Sequence, residues 1–248
     1  MTEVSILIVT LNEESTIERA ITSVKRLSND IVVVDSGSTD NTVKIAKKLG
    51  AHTFFHPFKN FADQRSFANS CTKHNWVLSM DADEEIPHEL SEEIHQTLQN
   101  TSNSAFLIPR RNIIFGKEIK HTRWSPDAHV WLYDKTNGSW LGSVHEEWVS
   151  TGSVGILKNA KIHHSHPSVS AFIEMLNRYT DIEAREQYKK GIRFNMFSLV
   201  FYSARSFVGR FFLKQGYLDG LHGFVLSSLM AFYRFTTWVK IWELEKHA

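Results

Sequence analysis

The stretch Trp76-Val77-Leu78-Ser79-Met80-Asp81-Ala82-Asp83-Glu84-Glu85 places a short apolar run directly before a pair of aspartates. A buried strand that ends in this way delivers both carboxylates to its carboxyl edge, where open α/β sheets bind ligands. One residue separates Asp81 from Asp83, so the two-residue period of a strand puts both side chains on one face. Paired carboxylates suit a hard divalent cation, Mg²⁺ or Mn²⁺, which adds water and substrate phosphates to its shell. The stretch therefore predicts a metal-bridged diphosphate site, with a solvated turn after a strand as the alternative.

The segments before this stretch alternate between strand patterns and helix patterns. Continuous apolar or β-branched runs predict buried strands, and apolar residues spaced by three and four predict helices that pack on them. The predicted strands cover 4–9, 31–34, 53–55 and 76–80, and the predicted helices cover 17–24, 43–49 and 63–71. Ser15 with Glu18 predicts a capping box at the first helix. This alternation predicts an α/β fold with a mostly parallel sheet and helices on both faces.

Polar residues follow three of the predicted strands and should open into one crevice. They are Thr10 with Asn12, then Asp35, then the Asp81 pair. The first strand is not followed by Gly-x-Gly-x-x-Gly, and the chain has no Gly-x-x-x-x-Gly-Lys-Ser/Thr, which disfavours a dinucleotide oxidoreductase and a P-loop nucleotidase. A nucleotide could still bind, with Asp35 accepting a hydrogen bond from the base and Asp81 from a ribose hydroxyl. The alternative for 35–40 is a turn and helix cap.

Composition limits the class of protein. A chain of 248 residues suits one large domain or one domain with an appendage. The formal net charge of +1 gives no sign of nucleic-acid binding. A lone cysteine, Cys71, cannot form an internal disulfide, which fits a reduced cytoplasmic setting. The first nine residues do not resemble a signal peptide, and no uncharged run is long enough to span a bilayer.

Several of these runs together resemble a known family. Residues 4–14, the run Asp35-Ser36-Gly37-Ser38-Thr39-Asp40, Arg65 with Asn69, and Asp81-Ala82-Asp83 look like family 2 glycosyltransferases of the GT-A fold. The later runs Arg123-Trp124-Ser125-Pro126-Asp127 and Val144-His145-Glu146, with the tail over 217–243, resemble the lipopolysaccharide core β-glucosyltransferase subgroup. That subgroup usually has an arginine where this chain has Trp131.

The resemblance implies an inverting transfer from a nucleoside-diphosphate sugar, with UDP as the expected nucleotide and a divalent cation as cofactor. The residues it assigns to the donor are Thr10, Asn12 and Glu13 near the nucleoside, Asp35 at the base, Arg65 near the base or the phosphates, and Asp81 on the ribose side. It assigns Asp83 to the cation. For Arg65 the alternative is an arginine on a helix surface.

The catalytic base is expected at Glu146, which occupies the family's His-Glu position. An inverting displacement needs a base that takes the proton of the acceptor hydroxyl, and such a base contributes roughly 10²–10⁴-fold. Glu147 is the alternate, because strand alternation sends neighbouring side chains to opposite faces. Without the resemblance, a solvated acidic pair near a strand end is the favoured interpretation.

A histidine cluster and a tryptophan are the remaining candidates. In related enzymes one histidine of this region completes the metal shell or contacts the diphosphate, and His163 aligns best; the alternative is ordinary surface histidines. A zinc site is disfavoured, because no cysteine accompanies the histidines and a strand points His163 and His164 apart. Trp124 is expected to form a platform for an acceptor sugar, with a loop anchor that packs on the core as the alternative.

The C-terminal third changes character. A helix predicted over 168–190 has Phe172, Leu176, Tyr179 and Ile182 or Glu183 along one side. Beyond residue 194 aromatic side chains are dense and alternate with arginine and lysine, a pattern typical of amphipathic helices in a membrane interface. The alternatives are a helical hairpin packed on the catalytic domain, or an oligomer interface. We therefore expect a GT-A catalytic domain over 1–167 and a helical region over 168–248.

Together these features predict an enzyme that moves glucose or a similar hexose to a membrane-anchored glycan, such as lipopolysaccharide core or a lipid-linked oligosaccharide. The expected location is cytoplasmic and peripheral, at the inner face of the cell membrane. One alternative is a nucleotidyltransferase that makes nucleotide sugars, disfavoured because no Gly-rich triphosphate loop follows the first strand. The other is a non-catalytic membrane-associated protein that binds nucleotide sugars.

Overall fold

The structure is a computed structural model that describes residues 3–142 and 146–246. The strands, in chain order, are β1 Val4–Thr10, β2 Asp30–Asp35, β3 His52–Phe55, β4 Trp76–Asp81, β5 Glu84–Glu85, β6 Ala105–Ile114, β7 Lys117–Ile119, β8 Ala128–Asp134, β9 Gly138–Leu141, β10 Glu147–Ser150, β11 Val154–Ile156 and β12 Lys161–His163. The helices are α1 Ile17–Val24, α2 Thr42–Lys48, α3 Phe61–Cys71, α4 His88–Gln99, α5 Val169–Lys189, α6 Met196–Val208 and α7 Leu221–Lys246. A π-helical turn, Gly209–Leu213, and a 3-10 turn, Gly216–Asp219, join α6 to α7.

The main sheet begins with parallel strands in the order β3-β2-β1-β4. All seven residues of β1 are buried, as its continuous apolar run predicts for a central parallel strand. The register pairs Thr10 with Asp35 and Val9 with Asp81, so the polar residues at these strand ends lie at one edge of the sheet. The prediction that these polar residues share the carboxyl edge of the sheet is therefore confirmed.

The sheet continues beyond β4 with strands of mixed direction. Its order there is β8-β6-β12-β5, with β8 antiparallel to both of its neighbours and β12 antiparallel to β5. Strands β11 and β7 pair with β6, and β9 with β10 forms a separate antiparallel pair. In this part of the sheet, His163 on β12 pairs with Glu84 on β5. Glu84 directly follows Asp83 in the sequence.

The first helix starts differently from the prediction. The residue before α1 is Thr16, and no side chain caps the helix. The Thr16 hydroxyl donates to the Glu13 carboxylate at 2.6 Å, and the Glu13 carbonyl accepts from the backbone N–H of Ile17 at 2.9 Å. The predicted capping box of Ser15 and Glu18 is therefore wrong, because the turn that begins at Glu13 supplies the partners at this helix end.

The chain forms two compact units. The first unit is Met1–Arg111 with Asp127–His164, and the second is Asn112–Pro126 with Ser165–Ala248. A single division after residue 167 does not reproduce these units, since 112–126 lies with the C-terminal helices. Within the second unit, the Asp219 carboxylate accepts from the backbone N–H of His121 at 2.9 Å, and Thr122 N–H donates to the Lys214 carbonyl at 3.1 Å.

The second unit has its own apolar core. Its buried residues include Ile114, Ile119 and Leu226 with two side chains of α5. Along α5 the buried positions recur every four residues, at Phe172, Leu176, Thr180 and Ala184. The prediction that Tyr179 and Ile182 share this face is wrong, because both are exposed. Among the described helices, none combines the length and the apolar character that crossing a bilayer requires.

Candidate active site

Arg65 on α3 lies where the acidic side chains of the site converge. It is only 1% exposed. Its Nη2 donates to Asp81 Oδ1 at 2.7 Å, and its Nη1 donates to Ser79 Oγ at 2.6 Å. The guanidinium carbon lies 5.1 Å from the ring centroids of both Trp131 and Trp140. The alternative of a helix-surface arginine is therefore wrong, and direct contact of Arg65 with a nucleotide stays a prediction.

Asp81 is held in its ionised form. Burial by itself would raise the pKa of its carboxyl group, but the charge of Arg65, followed by those of Lys161 and His163, lowers the pKa to about 2. An ionised carboxylate accepts hydrogen bonds and donates none. Asp81 is therefore chemically suited to accept from sugar hydroxyls, while one of its oxygens is already occupied by Arg65.

Glu146 lies next to the same guanidinium, at its Nε. Its Oε1 lies 3.5 Å from Arg65 Nε, and its side chain is 15% exposed. Arg65 thus bridges the carboxylates of Asp81 and Glu146. Glu147, the alternate base, is exposed at the start of β10, and among the described residues it forms no ion pair with Arg65. His145, the other half of the family's His-Glu position, lies outside the described residues.

Asp83 and His163 meet at the edge of the sheet. His163 Nε2 and Asp83 Oδ2 are 3.1 Å apart, and both side chains are mostly buried. His164 faces another carboxylate, with its Nε2 3.1 Å from Glu85 Oε2, as strand alternation predicts. Burial lowers the pKa of His163, but the hydrogen bond and charge of Asp83 outweigh it, so the pKa is raised above its ordinary value.

These donors fit a divalent cation that leaves most of its shell to other ligands. Asp83 offers a carboxylate oxygen and His163 an imidazole nitrogen, and Mn²⁺ or Mg²⁺ commonly takes one or two protein ligands together with water and substrate phosphates. Within the part of the chain that the structure describes, no three His, Cys, Asp or Glu side chains form a metal-binding group. The described residues therefore do not form a four-ligand site of the structural zinc type. Asp83 and His163 instead suit a cation that is also coordinated by the substrate.

Glu13 adds negative charge near the same aspartates. Burial raises the pKa of its carboxyl group, the hydrogen bond from Thr16 lowers it, and the charges of Asp83, Asp81 and Asp40 raise it further, so that the net pKa is above its ordinary value. A cation placed among these groups would relieve their mutual repulsion. Glu13 is therefore electrostatically coupled to both aspartates, and its contact with a donor stays a prediction.

The other predicted nucleotide residues shape two adjacent loops. Asn12 has a left-handed backbone, φ 55°, and its Oδ1 accepts from the N–H of Thr39 at 2.8 Å. The Asp35 carboxylate accepts from the N–H groups of Gly37 and Ser38, each at 2.9 Å. The turn predicted as the alternative for 35–40 is therefore present. A hydrogen bond between Asp35 and the base of a nucleotide stays a prediction. Thr10 is buried, and its hydroxyl has no partner among the described residues.

Trp124 lies in the second unit. It packs against the apolar core of that unit, and its ring centroid is 6.3 Å from that of His166 in an edge-to-face arrangement. Its backbone carbonyl accepts from Asn112 Nδ2 at 2.7 Å. These are the contacts of the loop-anchor alternative, and contact with an acceptor sugar stays a prediction.

Sequence reasoning missed a buried ion pair next to the site. Lys161 Nζ and Glu84 Oε2 are 2.6 Å apart with both side chains fully buried, and Glu84 Oε2 also accepts from the Asp81 N–H at 2.9 Å. Lys161 Nζ lies 3.5 Å from the ring centroid of Trp131. One signal was available, since Lys161 precedes His163 by two residues on a strand and shares its face. Its partner, 77 residues earlier, carried no such signal.

A sheet whose parallel strands gather carboxylates at their carboxyl edge is typical of the α/β class that binds ligands at the strand ends. Within that class, the sequence matches the family described as glycosyl transferase family 2 over residues 5–214. The chain belongs to glycosyl transferase family 2. The predicted family, the GT-A type of α/β fold and the glycosyltransferase class are therefore confirmed, and the nucleotidyltransferase alternative is set aside.

Similar proteins extend over nearly the whole chain. An uncharacterized glycosyltransferase of Rickettsia typhi is 33% identical, covering 98% of this chain and 88% of its own. The lipopolysaccharide core biosynthesis glycosyltransferase LpsC of Rhizobium meliloti is 28% identical, covering 98% of this chain and 93% of its own. Among solved structures, residues 1–349 of TarS from S. aureus, in complex with UDP-GlcNAc, align with TM-score 0.48 and 17% identity over 72% of this chain and 66% of that one.

Proposed function

We propose that this glycosyltransferase moves glucose or a similar hexose from a UDP-sugar to a membrane-anchored glycan, with inversion at the anomeric carbon. The observation that carries the proposal is the bridge that Arg65 makes between Asp81 and Glu146. It joins a carboxylate suited to the donor to a carboxylate suited to the acceptor. The name of the Rhizobium relative, a lipopolysaccharide core enzyme, supports a glycan acceptor of that kind.

Glu146 is the proposed base. Its carboxylate takes the proton of the acceptor hydroxyl while that oxygen attacks the anomeric carbon, and the bond between this carbon and the diphosphate oxygen breaks with its electron pair on the diphosphate. The products are a β-linked glycan and a nucleoside diphosphate. The ion pair with Arg65 holds the Glu146 carboxylate in place, which keeps the base oriented toward one position of the acceptor.

The donor is proposed to lie along the carboxyl edge of β1, β2 and β4. Asp81 accepts from a ribose hydroxyl with the oxygen that Arg65 leaves free, and the unpartnered hydroxyl of Thr10 offers a further contact to the nucleoside. Asp35 is proposed to contact the base, and Asn12 and Glu13 are proposed to lie near the nucleoside. Each role follows the resemblance of these residues to the family, applied position by position.

Asp83 and His163 would hold the divalent cation. When bound, the cation neutralises charge that develops on the departing nucleoside diphosphate. The protein's own contribution is to keep Asp83 beside His163 and to surround both with carboxylates, Glu13 among them, that favour a cation at this edge. In the absence of a cation, the same carboxylates would repel a diphosphate.

The C-terminal helices are proposed to keep the enzyme at the inner face of the cell membrane, where a lipid-linked acceptor resides. The support is a large exposed apolar surface on α6 and the turns after it, which includes Phe197 and Leu213 at 72% and 78% exposure. Burial of one such side chain contributes roughly 1.5–3 kcal/mol. An interface with a second copy of the chain is the alternative occupant of this surface, and Trp124 is the proposed contact to the acceptor sugar.

Donor binding tests the proposal directly. Thermal shift with UDP-, GDP- and dTDP-sugars, each with and without Mn²⁺, should give metal-dependent stabilisation by one UDP-sugar. Asp83→Ala should remove it, whereas Glu85→Ala, which changes a carboxylate two residues away that pairs with His164, should retain it. Stabilisation that persists in Asp83→Ala, or that needs no cation, would contradict the proposed metal site. Preference for another nucleotide would contradict the donor assignment.

A further inference from the structure

One stretch of the second unit, residues 194–218, is rich in exposed apolar side chains and carries cations without acids. Along 194–218 the chain has no aspartate or glutamate, and its charged residues are Arg205, Arg210 and Lys214. We call the exposed side chains of this segment and the start of α7 the apolar face. They are Met196, Phe197, Val200, Phe201, Tyr202, Val208, Phe212, Leu213, Tyr217, Leu218 and Leu221. A surface of this composition is complementary to an anionic lipid interface.

Arg210 differs from the other two cations of this segment, Arg205 and Lys214, which are both exposed. Its side chain is half-buried, and its Nη1 donates to the Thr122 carbonyl at 2.7 Å. No carboxylate lies within ion-pair distance of it among the residues that the structure describes. Its charged neighbours are Arg123 and Arg234, and the latter is already paired with Glu183 at 2.6 Å. Burying a charge without a counter-ion is costly, so the location favours an anion.

The titration of Arg210 agrees with this geometry. Burial first, and then repulsion by Arg123 and Arg234, lower the pKa of the Arg210 guanidinium to about 10. Both causes disfavour the charged guanidinium. A bound anion would stabilise the charged form and so raise the pKa again. The group nevertheless stays charged at neutral pH, so a negative ligand would meet an intact cation.

The backbone holds the two arginines in place at some cost. Thr122 and Arg123 are consecutive non-glycine residues in the left-handed region, with φ 58° and 68°. Such conformations persist where surrounding contacts impose them and are frequent at ligand sites. Here the bonds of Thr122 to Lys214 and to Arg210 impose them. Arg210 itself lies in the π-helical turn Gly209–Leu213, a local irregularity that also recurs at functional positions.

We propose that Arg210 and Arg123 form a phosphate site that takes the headgroup phosphate of an anionic lipid. Guanidinium groups bind phosphate through paired hydrogen bonds, which the compact ammonium of lysine does not reproduce. A lipid is favoured over a soluble phosphate because Phe212 and Leu213, within the same π-helical turn, are exposed and would enter the acyl region beside the headgroup. The assignment rests on the proposed membrane association, and it adds a specific contact to a general attraction.

Vesicle sedimentation of the full chain tests the site. The vesicles are phosphatidylcholine alone and phosphatidylcholine mixed with phosphatidylglycerol. Arg205→Gln is the matched control, because it removes the same charge from an exposed position of the same surface and should weaken binding to anionic vesicles about fivefold. Arg210→Gln and Arg123→Gln should each weaken it more than about tenfold, since they remove hydrogen bonds to a charged group. All three should bind neutral vesicles like the unsubstituted chain.

Two variants guard against misfolding. Arg123 is exposed, so Arg123→Gln should unfold at the same temperature as the unsubstituted chain. Arg210→Lys keeps the charge and loses the paired hydrogen bonds of the guanidinium, so it should bind anionic vesicles more weakly than the unsubstituted chain and more strongly than Arg210→Gln. The phosphate site would be overturned if Arg210→Gln and Arg123→Gln weakened binding no more than Arg205→Gln does, or if Arg210→Lys bound fully. Membrane association would then rest on general electrostatics.

The remaining outcomes separate the source of the phosphate from the proposed function. Titration with inorganic phosphate is carried out with UDP and Mn²⁺ present, so that the donor site is filled. Phosphate binding that Arg210→Gln abolishes, without binding to any vesicle, would overturn the lipid assignment in favour of a soluble phosphate-bearing ligand. Absence of binding to both vesicles and phosphate would overturn the site altogether. None of these results changes donor stabilisation, which tests the proposed function separately.

Discussion

Substitution of Arg65 by methionine is the sharpest test of how the site is held together. Methionine keeps most of the aliphatic length between Trp131 and Trp140 and removes only the guanidinium. The Asp81 carboxylate then loses its partner at 2.7 Å, and the Glu146 carboxylate loses its partner at 3.5 Å. Both carboxylates stay where the fold has put them, with less access to water than in the unfolded chain.

The expected loss of unfolding free energy is about 3–5 kcal/mol. This is the typical cost of removing one partner from a buried ion pair, because the remaining charge stays buried and uncompensated. The value belongs at the lower end, since Asp81 retains some solvent contact and the charges of Lys161 and His163 remain near it. Arg65→Lys should lose less, because it keeps the charge, but an ammonium does not reach both carboxylates and Ser79 together.

The effect should depend on pH with a defined sign. The pKa of Asp81 in the folded chain is about 2, below its ordinary value of 3.8, so its ionised form stabilises the fold above the ordinary value. That stabilisation is lost as the pH falls through the folded pKa. Arg65→Met removes the largest charge that lowers the pKa of Asp81. In this variant the stabilisation by ionised Asp81 is therefore lost at a higher pH than in the unsubstituted chain. The difference between the two proteins should therefore be largest at neutral pH and should shrink toward about pH 2.

Urea unfolding followed by circular dichroism, at neutral pH and at several acidic values, measures these differences. Arg19→Met is the control, because Arg19 is 39% exposed and its ion pair with Glu85 is loose, at 3.9 Å. Such a pair contributes about 0–1 kcal/mol. A loss for Arg65→Met no larger than that of the control, with an unchanged acid limb, would refute the reasoning that Arg65 compensates the two carboxylates.

Further predictions concern the base, the missed ion pair and a close backbone contact. Glu146→Gln should lower the rate of transfer by roughly 10²–10⁴-fold with an unchanged Kd for the donor, measured by product release and calorimetry; full activity would identify another base. Lys161→Met should destabilise the fold by about 3–5 kcal/mol, and adding Glu84→Leu should recover much of that loss in urea unfolding. Gly223→Ala should lower the Tm markedly, because its Cβ would collide with the carbonyl oxygen of Gly216, whereas Gly209→Ala meets nothing within 4 Å and should be tolerated.

The order of elements and the position of the acidic pair could be predicted from the sequence. Strand and helix periods are local properties, so the buried run of β1, the buried face of α1 and the end of β4 at Asp81 followed from neighbouring residues alone. Because parallel strands present their carboxyl ends at one edge, the placement of Thr10, Asp35 and Asp81 together also followed without knowledge of any side-chain contact.

The partners of the buried charges were decided by the tertiary structure. Arg65 and Asp81 are 16 residues apart and Lys161 and Glu84 are 77 apart, and no local pattern states which cation meets which carboxylate. The start of α1 and the inward face of α5 were also misjudged, since each depends on a turn or a packing partner outside the helix. Local periodicity predicts which residues become buried. The counter-ion of a buried charge, in contrast, lies on a distant part of the chain that only folding brings within hydrogen-bond distance.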